Sequence, residues 1–400
     1  MSRVILGDIA ISQTGPFGSQ LHEEDYVSEG TPIVTVEHLG DINFTHQNLP
    51  FVSEADTKRL SKYILIEGDI VFSRVGSIDR NVYVDKNHEG WMFSGRCIRV
   101  RADKNKVNTR YLSYYFKQNS FKKMMMNLAV GATMPSLNTK IMNSIELDLL
   151  PRENQDKIAN ILSAIDDKIQ INNQINQELE AMAKTLYDYW FVQFDFPDQN
   201  GKPYKSSGGK MVYNPELKRE IPEGWGVEKL GDIAICHDSK RVPLSSNDRE
   251  LVKGKIPYYG ATGIMDYVND YIFDGDYVLM AEDGSVMTEK GTPILQRISG
   301  KNWVNNHAHV LEPVKNHSCK LLMMLLKDVS VMQIKTGSIQ MKINQENMNK
   351  IVVPAIPLEL LFDINQKLEV IDKQQLNLIE ENKQLTQLRD WLLPMLMNGQ

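Results

Sequence analysis

The chain has 400 residues, of which 42% are hydrophobic and 24% are charged, and its formal net charge is −6. This length predicts two or three domains, and this apolar fraction is ample for buried cores. The N-terminus lacks the basic and apolar pattern of a signal peptide, and no stretch approaches the ~20 apolar residues of a membrane span. Three scattered cysteines, Cys97, Cys236 and Cys319, predict neither a disulfide framework nor a metal cluster, so we expect a cytosolic, cytoplasmic protein.

Residues 1–150 predict a globular domain with short strands such as Ile70–Ser73, bounded by Gly-Asp and Gly-Ser turns. The domain carries 17 basic and 17 acidic residues. Between residues 96 and 123, however, nine basic residues face a single acid, Asp103. Such a run is either a solvated helix face or a surface that contacts phosphates, and the sequence leaves both interpretations open.

Residues 151–191 predict one long helix, because they contain no proline or glycine after Pro151. Apolar residues recur in steps of four and three from Ile158 to Trp190, which is the pattern of a coiled-coil seam. At ~1.5 Å per residue, the segment would form a rod on the order of 58 Å long. Its apolar stripe needs a partner, and two asparagines, Asn172 and Asn176, interrupt that stripe near its middle.

Residues 192–225 predict a linker, residues 226–356 a second globular domain with a strand at 277–280, and residues 357–397 a second long helix. This helix repeats the four-three steps, with polar interruptions at Gln375 and Asn382. The matching lengths and interruptions predict that the two helices pair, although two unrelated surface helices are the alternative. Each helical segment carries four basic and seven acidic residues, so the net acidity lies in the helices and leaves the other regions free to present basic surfaces.

An internal repeat relates the two globular domains. Residues 6–10 and 230–234 both read LGDIA. Further landmarks follow in the same order: Gly76-Ser77 and Gly284-Ser285, Trp91 and Trp303, Gly131 and Gly337, Leu137-Asn138 and Ile343-Asn344, Pro151 and Pro357. Because these landmarks repeat while residues 74–80 and 281–290 differ, the sequence predicts one task performed twice on different targets.

Four segments carry a family resemblance. They are TGPFGS at 14–19, GATMPSLNTKIMNSIELDLLP at 131–151, the linker at 194–225 that ends in IPEGW, and PYYGATGIMDYVNDYIFDGDYVLMAEDGS at 257–285. With the repeat and the helices, they resemble the specificity (S) subunit of a type I restriction-modification system over the whole chain. The resemblance implies an α/β (α+β) fold in which two target recognition domains are separated by a long antiparallel two-helix coiled coil, with a pseudo-twofold repeat.

In that family, the S subunit performs no chemistry, and each domain reads one half of a bipartite, asymmetric sequence of double-stranded DNA. The helices hold the domains apart and dock two modification (M) subunits, and restriction (R) subunits join the complex. The resemblance therefore implies no cofactor on this chain, S-adenosylmethionine on the M subunits, and ATP and Mg on the R subunits. One turn of duplex is ~34 Å, so the predicted rod would place two readers a turn or slightly more apart.

Candidate contacts follow from side-chain chemistry, because Arg, Lys, Gln and Ser/Thr on loops read base edges and bind phosphates. The candidates for DNA binding are Arg74, Ser77, Arg80 and Arg96 in the first domain, and Tyr258, Thr262, Lys290, Gln340 and Lys342 in the second. Each of them is alternatively an ordinary surface residue. The apolar cluster Tyr187, Trp190 and Phe191, at one end of the first helix, is predicted to dock M subunits.

Catalytic motifs are weak or incomplete. The best match to an Asn-Pro-Pro-Tyr methyltransferase motif, at 214–217, lacks the second proline and the aromatic residue, and Gly209-Lys210-Met211 fails the P-loop pattern. Asp198 and Glu216 have the loose spacing of a PD…ExK metal nuclease, but they lie in a connector without clear strands.

Two other interpretations are weaker. His307 and His309 would share one face of a strand and could hold a metal, but no third ligand is apparent nearby, so we predict no metal site. A coiled-coil adaptor that does not bind DNA remains the alternative function, although it leaves the two diverged domains unexplained. A fused restriction-modification enzyme would require the catalytic motifs that the sequence lacks.

Overall fold

A computed structural model of the chain describes residues 2–129, 136–337 and 341–399. The chain divides into two compact units, Met1–Asn173 with Glu380–Gln400, and Gln174–Ile379. Each unit therefore combines one globular region with part of both long helices, whereas the sequence-based boundaries give each helix a segment of its own and stay a prediction. Among the described residues, no helix has the length and apolar character needed to cross a membrane.

The first unit is built on two four-stranded sheets. Its strands are β1 (Ser2–Ile5), β2 (Ala10–Thr14), β3 (Tyr26–Val27), β4 (Thr31–Val34), β5 (Phe51–Val52), β6 (Ile70–Ser73), β7 (Asn81–Tyr83), β8 (Met92–Phe93), β9 (Cys97–Ala102) and β10 (Glu146–Leu149). Its helices are α1 (Leu6–Ile9), α2 (Glu54–Arg59), α3 (Thr109–Lys117), α4 (Asn119–Leu128), α5 (Thr139–Asn143) and the first part of α6 (Arg152–Tyr187). The sheet orders are β2-β9-β6-β7 and β3-β5-β4-β8, and β1 pairs with β10. Strand β6 has the predicted bounds and is buried throughout, which places it in the core.

The second unit is built on a six-stranded sheet. Its strands are β11 (Met211–Asn214), β12 (Arg219–Pro222), β13 (Gly226–Lys229), β14 (Ala234–Cys236), β15 (Lys253–Tyr259), β16 (Ile264–Val268), β17 (Phe273–Ala281), β18 (Leu295–Val304), β19 (Ala308–Pro313), β20 (Lys335–Thr336), β21 (Lys342–Ile343) and β22 (Val352–Ala355). Its helices are α7 (Leu230–Ile233), α8 (Ser246–Leu251), α9 (Cys319–Leu326), α10 (Val331–Ile334), α11 (Gln345–Asn349) and most of α12 (Leu358–Met397). The sheet order is β14-β19-β17-β18-β15-β16.

One strand of this sheet differs from its prediction. We expected a strand at 277–280 preceded by a Gly-Asp turn, but Gly275 and Asp276 lie within β17, opposite Gly300 and Ser299 of β18. Strand β17 is hydrogen-bonded to β18 on one side and to β19 on the other. Pairing along most of its length therefore holds the glycine in an extended strand.

The two units share a common frame. The antiparallel pair β1-β10 corresponds to β13-β22, and the sheet order β2-β9-β6-β7 corresponds to β14-β19-β17-β18. The repeated LGDIA forms α1 and α7, and its glycine packs closely in both: an added Cβ would lie 2.9 Å from the carbonyl oxygen of Asn143 at Gly7, and 3.0 Å from the Cβ of Asn349 at Gly231. This correspondence confirms the internal repeat and the mixed helix and strand fold class.

The long helices pair as their sequence pattern predicts. The seam of α6 is buried or half-buried at Ile158, Leu162, Ile165, Ile169, Asn172, Asn176, Leu179, Ala183, Leu186 and Trp190, the last lying in a π-helical turn at Asp188–Val192. Within the first unit, Nδ2 of Asn172 donates to Oδ1 of Asn382 at 2.9 Å. Within the second unit, Nε2 of Gln375 donates to the carbonyl oxygen of Asn176 at 3.1 Å. The polar interruptions of the two seams are therefore partners, which favours a single antiparallel register.

Candidate nucleic-acid interface

The first-unit candidates surround the loop that follows β6. The N–H of Arg74 donates to the carbonyl oxygen of Arg96 at 2.8 Å, and the N–H of Leu137 donates to the carbonyl oxygen of Arg74 at 2.9 Å. The N–H of Arg80 donates to the carbonyl oxygen of Ser77 at 3.1 Å, which closes the loop before β7. The fold therefore brings all four predicted residues of this domain, Arg74, Ser77, Arg80 and Arg96, to one end of a sheet.

The side chain of Arg74 forms hydrogen bonds to the backbone around this loop. Its guanidinium donates to the carbonyl oxygens of Leu137 at 3.1 Å and Gly95 at 3.3 Å, and it lies 5.6 Å from the ring centroid of Phe17. A guanidinium has five N–H donors, so these bonds leave donors for another acceptor. Ser77, Arg80 and Arg96 are exposed. The position of these side chains suits contact with phosphates or base edges, which stays a prediction.

Many basic residues between positions 96 and 123 form contacts within the first unit. Five members have side-chain partners within the unit: Arg99, Arg101, Lys106, Arg110 and Lys117. Two bonds of 2.7 Å join the guanidinium of Arg101 to the buried carboxylate of Asp69, and burial lowers the pKa of Lys117 to about 8. Arg96 and Lys123 are exposed instead. The run is therefore neither a solvated helix face throughout nor a phosphate-binding surface throughout. Only its exposed members are candidates for phosphate contact.

The same backbone frame recurs in the second unit with an acid at the position of Arg74. The N–H of Glu282 donates to the carbonyl oxygen of His307 at 2.8 Å, and the N–H of Ile343 donates to the carbonyl oxygen of Glu282 at 2.8 Å. Two residues further on, Gly284 has a φ of 74°, as Gly76 has a φ of 72° in the first unit. Glu282 is therefore the structural equivalent of Arg74.

Two cationic side chains, those of Arg241 and Lys342, contact the carboxylate of Glu282. Oε2 of Glu282 accepts from Arg241 at 2.7 Å, and Oε1 lies 2.8 Å from Nζ of Lys342. Burial opposes ionisation of Glu282, but the hydrogen bonds from Lys342 and Arg241 outweigh it and hold the pKa of that carboxyl below its usual value. The hydrogen bond to Glu282 raises the pKa of Lys342. The three groups therefore carry a net positive charge at neutral pH.

The remaining second-unit candidates have different environments. Thr262 lies in the exposed turn between β15 and β16, and Lys290 lies in an exposed turn after β17. Gln340 lies outside the described residues. The prediction for Tyr258 is wrong, because its side chain is 1% exposed and its hydroxyl is hydrogen-bonded to the backbone of Leu244, with the N–H of Leu244 donating at 3.0 Å. Its ring belongs to the interior and is not available to DNA.

The predicted docking cluster also requires correction. Tyr187, Trp190 and Phe191 are at most 5% exposed. The linker packs against this cluster at Phe191, because the ring centroid of Trp225 lies 6.1 Å from that of Phe191. These rings therefore form part of the second unit's own core and do not provide a docking surface.

The described residues give no support to a nuclease site in the connector. Oδ1 of Asp198 accepts the N–H groups of Asn200 and Lys202 at 2.8 Å and so closes a tight turn. Glu216 lies in a different turn, between β11 and β12. Neither acid belongs to a group of three metal-ligating side chains within the described part of the chain.

Two side chains of these surfaces were not predicted from the sequence. Phe17 is 53% exposed beside Arg74, and the only signal for it was its position in a glycine- and proline-rich segment. Arg241 holds Glu282 from a segment 41 residues earlier, a pairing that no local pattern indicates. His307 and His309 face different acids, Asp283 and Asp238, so the two histidines do not point into one shared site.

Comparison with known proteins gives one consistent result. A family model described as the type I restriction modification DNA specificity domain matches residues 2–181 and 222–387. The type I restriction enzyme MjaIX specificity subunit of Methanocaldococcus jannaschii is 25% identical, with 94% of this chain and 88% of the relative covered. The HindI specificity subunit of Haemophilus influenzae is 23% identical, with 92% and 94% covered. In fold, the chain is similar to the type I S subunit from M. genitalium, with a TM-score of 0.57, 16% identity, and 99% and 96% covered.

Proposed function

This chain belongs to the type I restriction-modification DNA specificity family, and we propose from that membership that it binds double-stranded DNA in the cytoplasm and reads a bipartite, asymmetric sequence. Each unit would read one half-site. The observation that carries the proposal is the repeated backbone frame, which presents Arg74 in one unit and Glu282 with two cations in the other. A common scaffold with different side chains suits two different base sequences.

The chain itself would perform no catalysis. Two M subunits would carry S-adenosylmethionine and methylate adenine after flipping the base, and R subunits would use ATP and Mg. The paired helices α6 and α12 would set the half-site spacing and dock the M subunits. The exposed apolar residues Phe362, Val370, Ile379 and Trp391 of α12 support a docking role for that helix, because each is more than half exposed.

The decisive experiment is adenine-methylation mapping, by single-molecule sequencing, of DNA from cells that express this chain with its M subunit. We expect methyl groups on opposite strands of one bipartite motif, absent when the chain is deleted. Exchange of residues 226–356 for those of another family member should change one half-site alone. A stable complex with M subunits that yields no motif would instead favour the coiled-coil adaptor.

A further inference from the structure

Three side chains with metal-binding atoms meet on one face of the second unit's sheet. Strands β14 and β19 are antiparallel, with Cys236 opposite Leu311 and the N–H of His237 donating to the carbonyl oxygen of Val310 at 2.8 Å. Continuing this register places Asp238 opposite His309. Because alternate residues of a strand share a face, Cys236, Asp238 and His309 lie on the same side. Their sulfur, oxygen and nitrogen atoms all lie within 4.8 Å of one another.

The hydrogen bonds of His309 leave one ring nitrogen directed at this cluster. Nε2 lies 2.8 Å from the carbonyl oxygen of Ile343, and since a carbonyl oxygen only accepts, Nε2 carries a hydrogen. Nδ1 lies 2.5 Å from Oδ2 of Asp238, which is also an acceptor when ionised. In the neutral ring, two lone pairs would therefore face each other. A proton or a metal ion must therefore lie between these two atoms.

We propose that Cys236, Asp238 and His309 form a binding site for Zn²⁺, with Sγ, Oδ2 and Nδ1 as ligands and a water molecule in the fourth position. Cysteine, aspartate and histidine are the ligand types that zinc uses in proteins. The hydrogen bond from Nε2 to a backbone carbonyl is the outer contact that orients a metal-binding histidine. Zinc binding releases the thiol proton of Cys236 and any second proton of His309 to solvent.

Arg241 is compatible with this site. Its guanidinium lies 3.1 Å from Oδ2 of Asp238, but it is also held by Glu282 at 2.7 Å and by the carbonyl oxygen of Ala308 at 2.8 Å. These partners remain when Asp238 turns to a metal ion, and Glu282 balances the positive charge. The ion would join β14 to β19 and would adjoin the Glu282 network, because Arg241 contacts both Asp238 and Glu282, and Nδ1 of His309 lies 3.7 Å from Oε2 of Glu282.

The experiment uses the full chain with Zn²⁺ alone and with Co²⁺ alone. We expect one zinc per chain to be retained through gel filtration, and Co²⁺ to give the charge-transfer absorption of a cobalt–thiolate bond. Cys236→Ser should abolish that absorption, and His309→Asn should weaken zinc binding at least about tenfold. His307→Gln is the matched control, because this neighbouring histidine is exposed and faces Asp283, and it should leave both signals unchanged.

Three results would overturn the site. They are a wild-type chain that retains no zinc and shows no charge-transfer absorption, an absorption that persists in Cys236→Ser, and a loss in His307→Gln equal to that in His309→Asn. The first would leave a proton between His309 and Asp238. Because His309 is 1% exposed and its replacement can unfold the unit, circular dichroism accompanies each variant. The near-isosteric Cys236→Ser decides the outcome if His309→Asn does not fold.

Discussion

Replacing Asp166 by asparagine should lower the stability of the contact between α6 and α12 within the first unit. This carboxylate, 3% exposed, accepts from the hydroxyl of Tyr114 at 2.6 Å and from Arg389 of α12 at 3.2 Å, and lies 3.9 Å from Arg110. Removing one partner of a buried ion pair costs about 3–5 kcal/mol. Asparagine still accepts from Tyr114, and both arginines keep exposed acidic neighbours, so we expect about 2 kcal/mol, within the range for a hydrogen bond to a charged group.

Hydrogen exchange of the full chain measures this loss locally. A loss of about 2 kcal/mol should speed exchange of the α6 and α12 amides of the first unit by about 30-fold. Asp167→Asn is the matched control, because Asp167 is 66% exposed and lies 4.0 Å from Arg110, and surface pairs contribute about 1 kcal/mol or less. Equal exchange in the two variants would refute the assignment of Asp166 as the central acid of this contact.

Three further predictions concern charge. Arg74→Ala should weaken DNA binding and alter preference at one half-site only, as measured by competition between target sequences; uniform weakening would make Arg74 a phosphate contact. Glu282→Gln should free the charge of Lys342, strengthen non-specific DNA binding and steepen its salt dependence, and an unchanged salt slope would contradict this. The pKa of Lys117 falls from 10.5 to about 8 in the folded chain, so between pH 8 and 10 the unfolded chain binds more protons and stability rises with pH. The unfolding midpoint of wild type should therefore rise relative to that of Lys117→Met over that window, and a constant offset between the two would show that Lys117 is not the group that titrates.

The parts of the fold that sequence predicted are those governed by local periodicity or by repetition. The seams of α6 and α12 follow a fixed step, so the polar interruptions at Asn172 and Asn382 could be matched from that step alone. The errors involve partners that are distant in sequence. The linker ring of Trp225 covers Phe191, and the register of β14 against β19 brings Asp238 to His309, 71 residues away. No local pattern encodes such a register.

The two units show how one backbone can serve two recognition surfaces. The loops are fixed by backbone hydrogen bonds to Leu137 and Ile343, which do not depend on the side chain at position 74 or 282. The side chain is therefore free to vary in charge, but a surface that approaches DNA must remain attractive to phosphates. An arginine meets this condition alone, whereas Glu282 meets it only with Arg241 and Lys342 beside it. Replacing the acid therefore changes the charge of a whole network, and exchange of a complete domain should transfer specificity more cleanly than exchange of residue 282 alone.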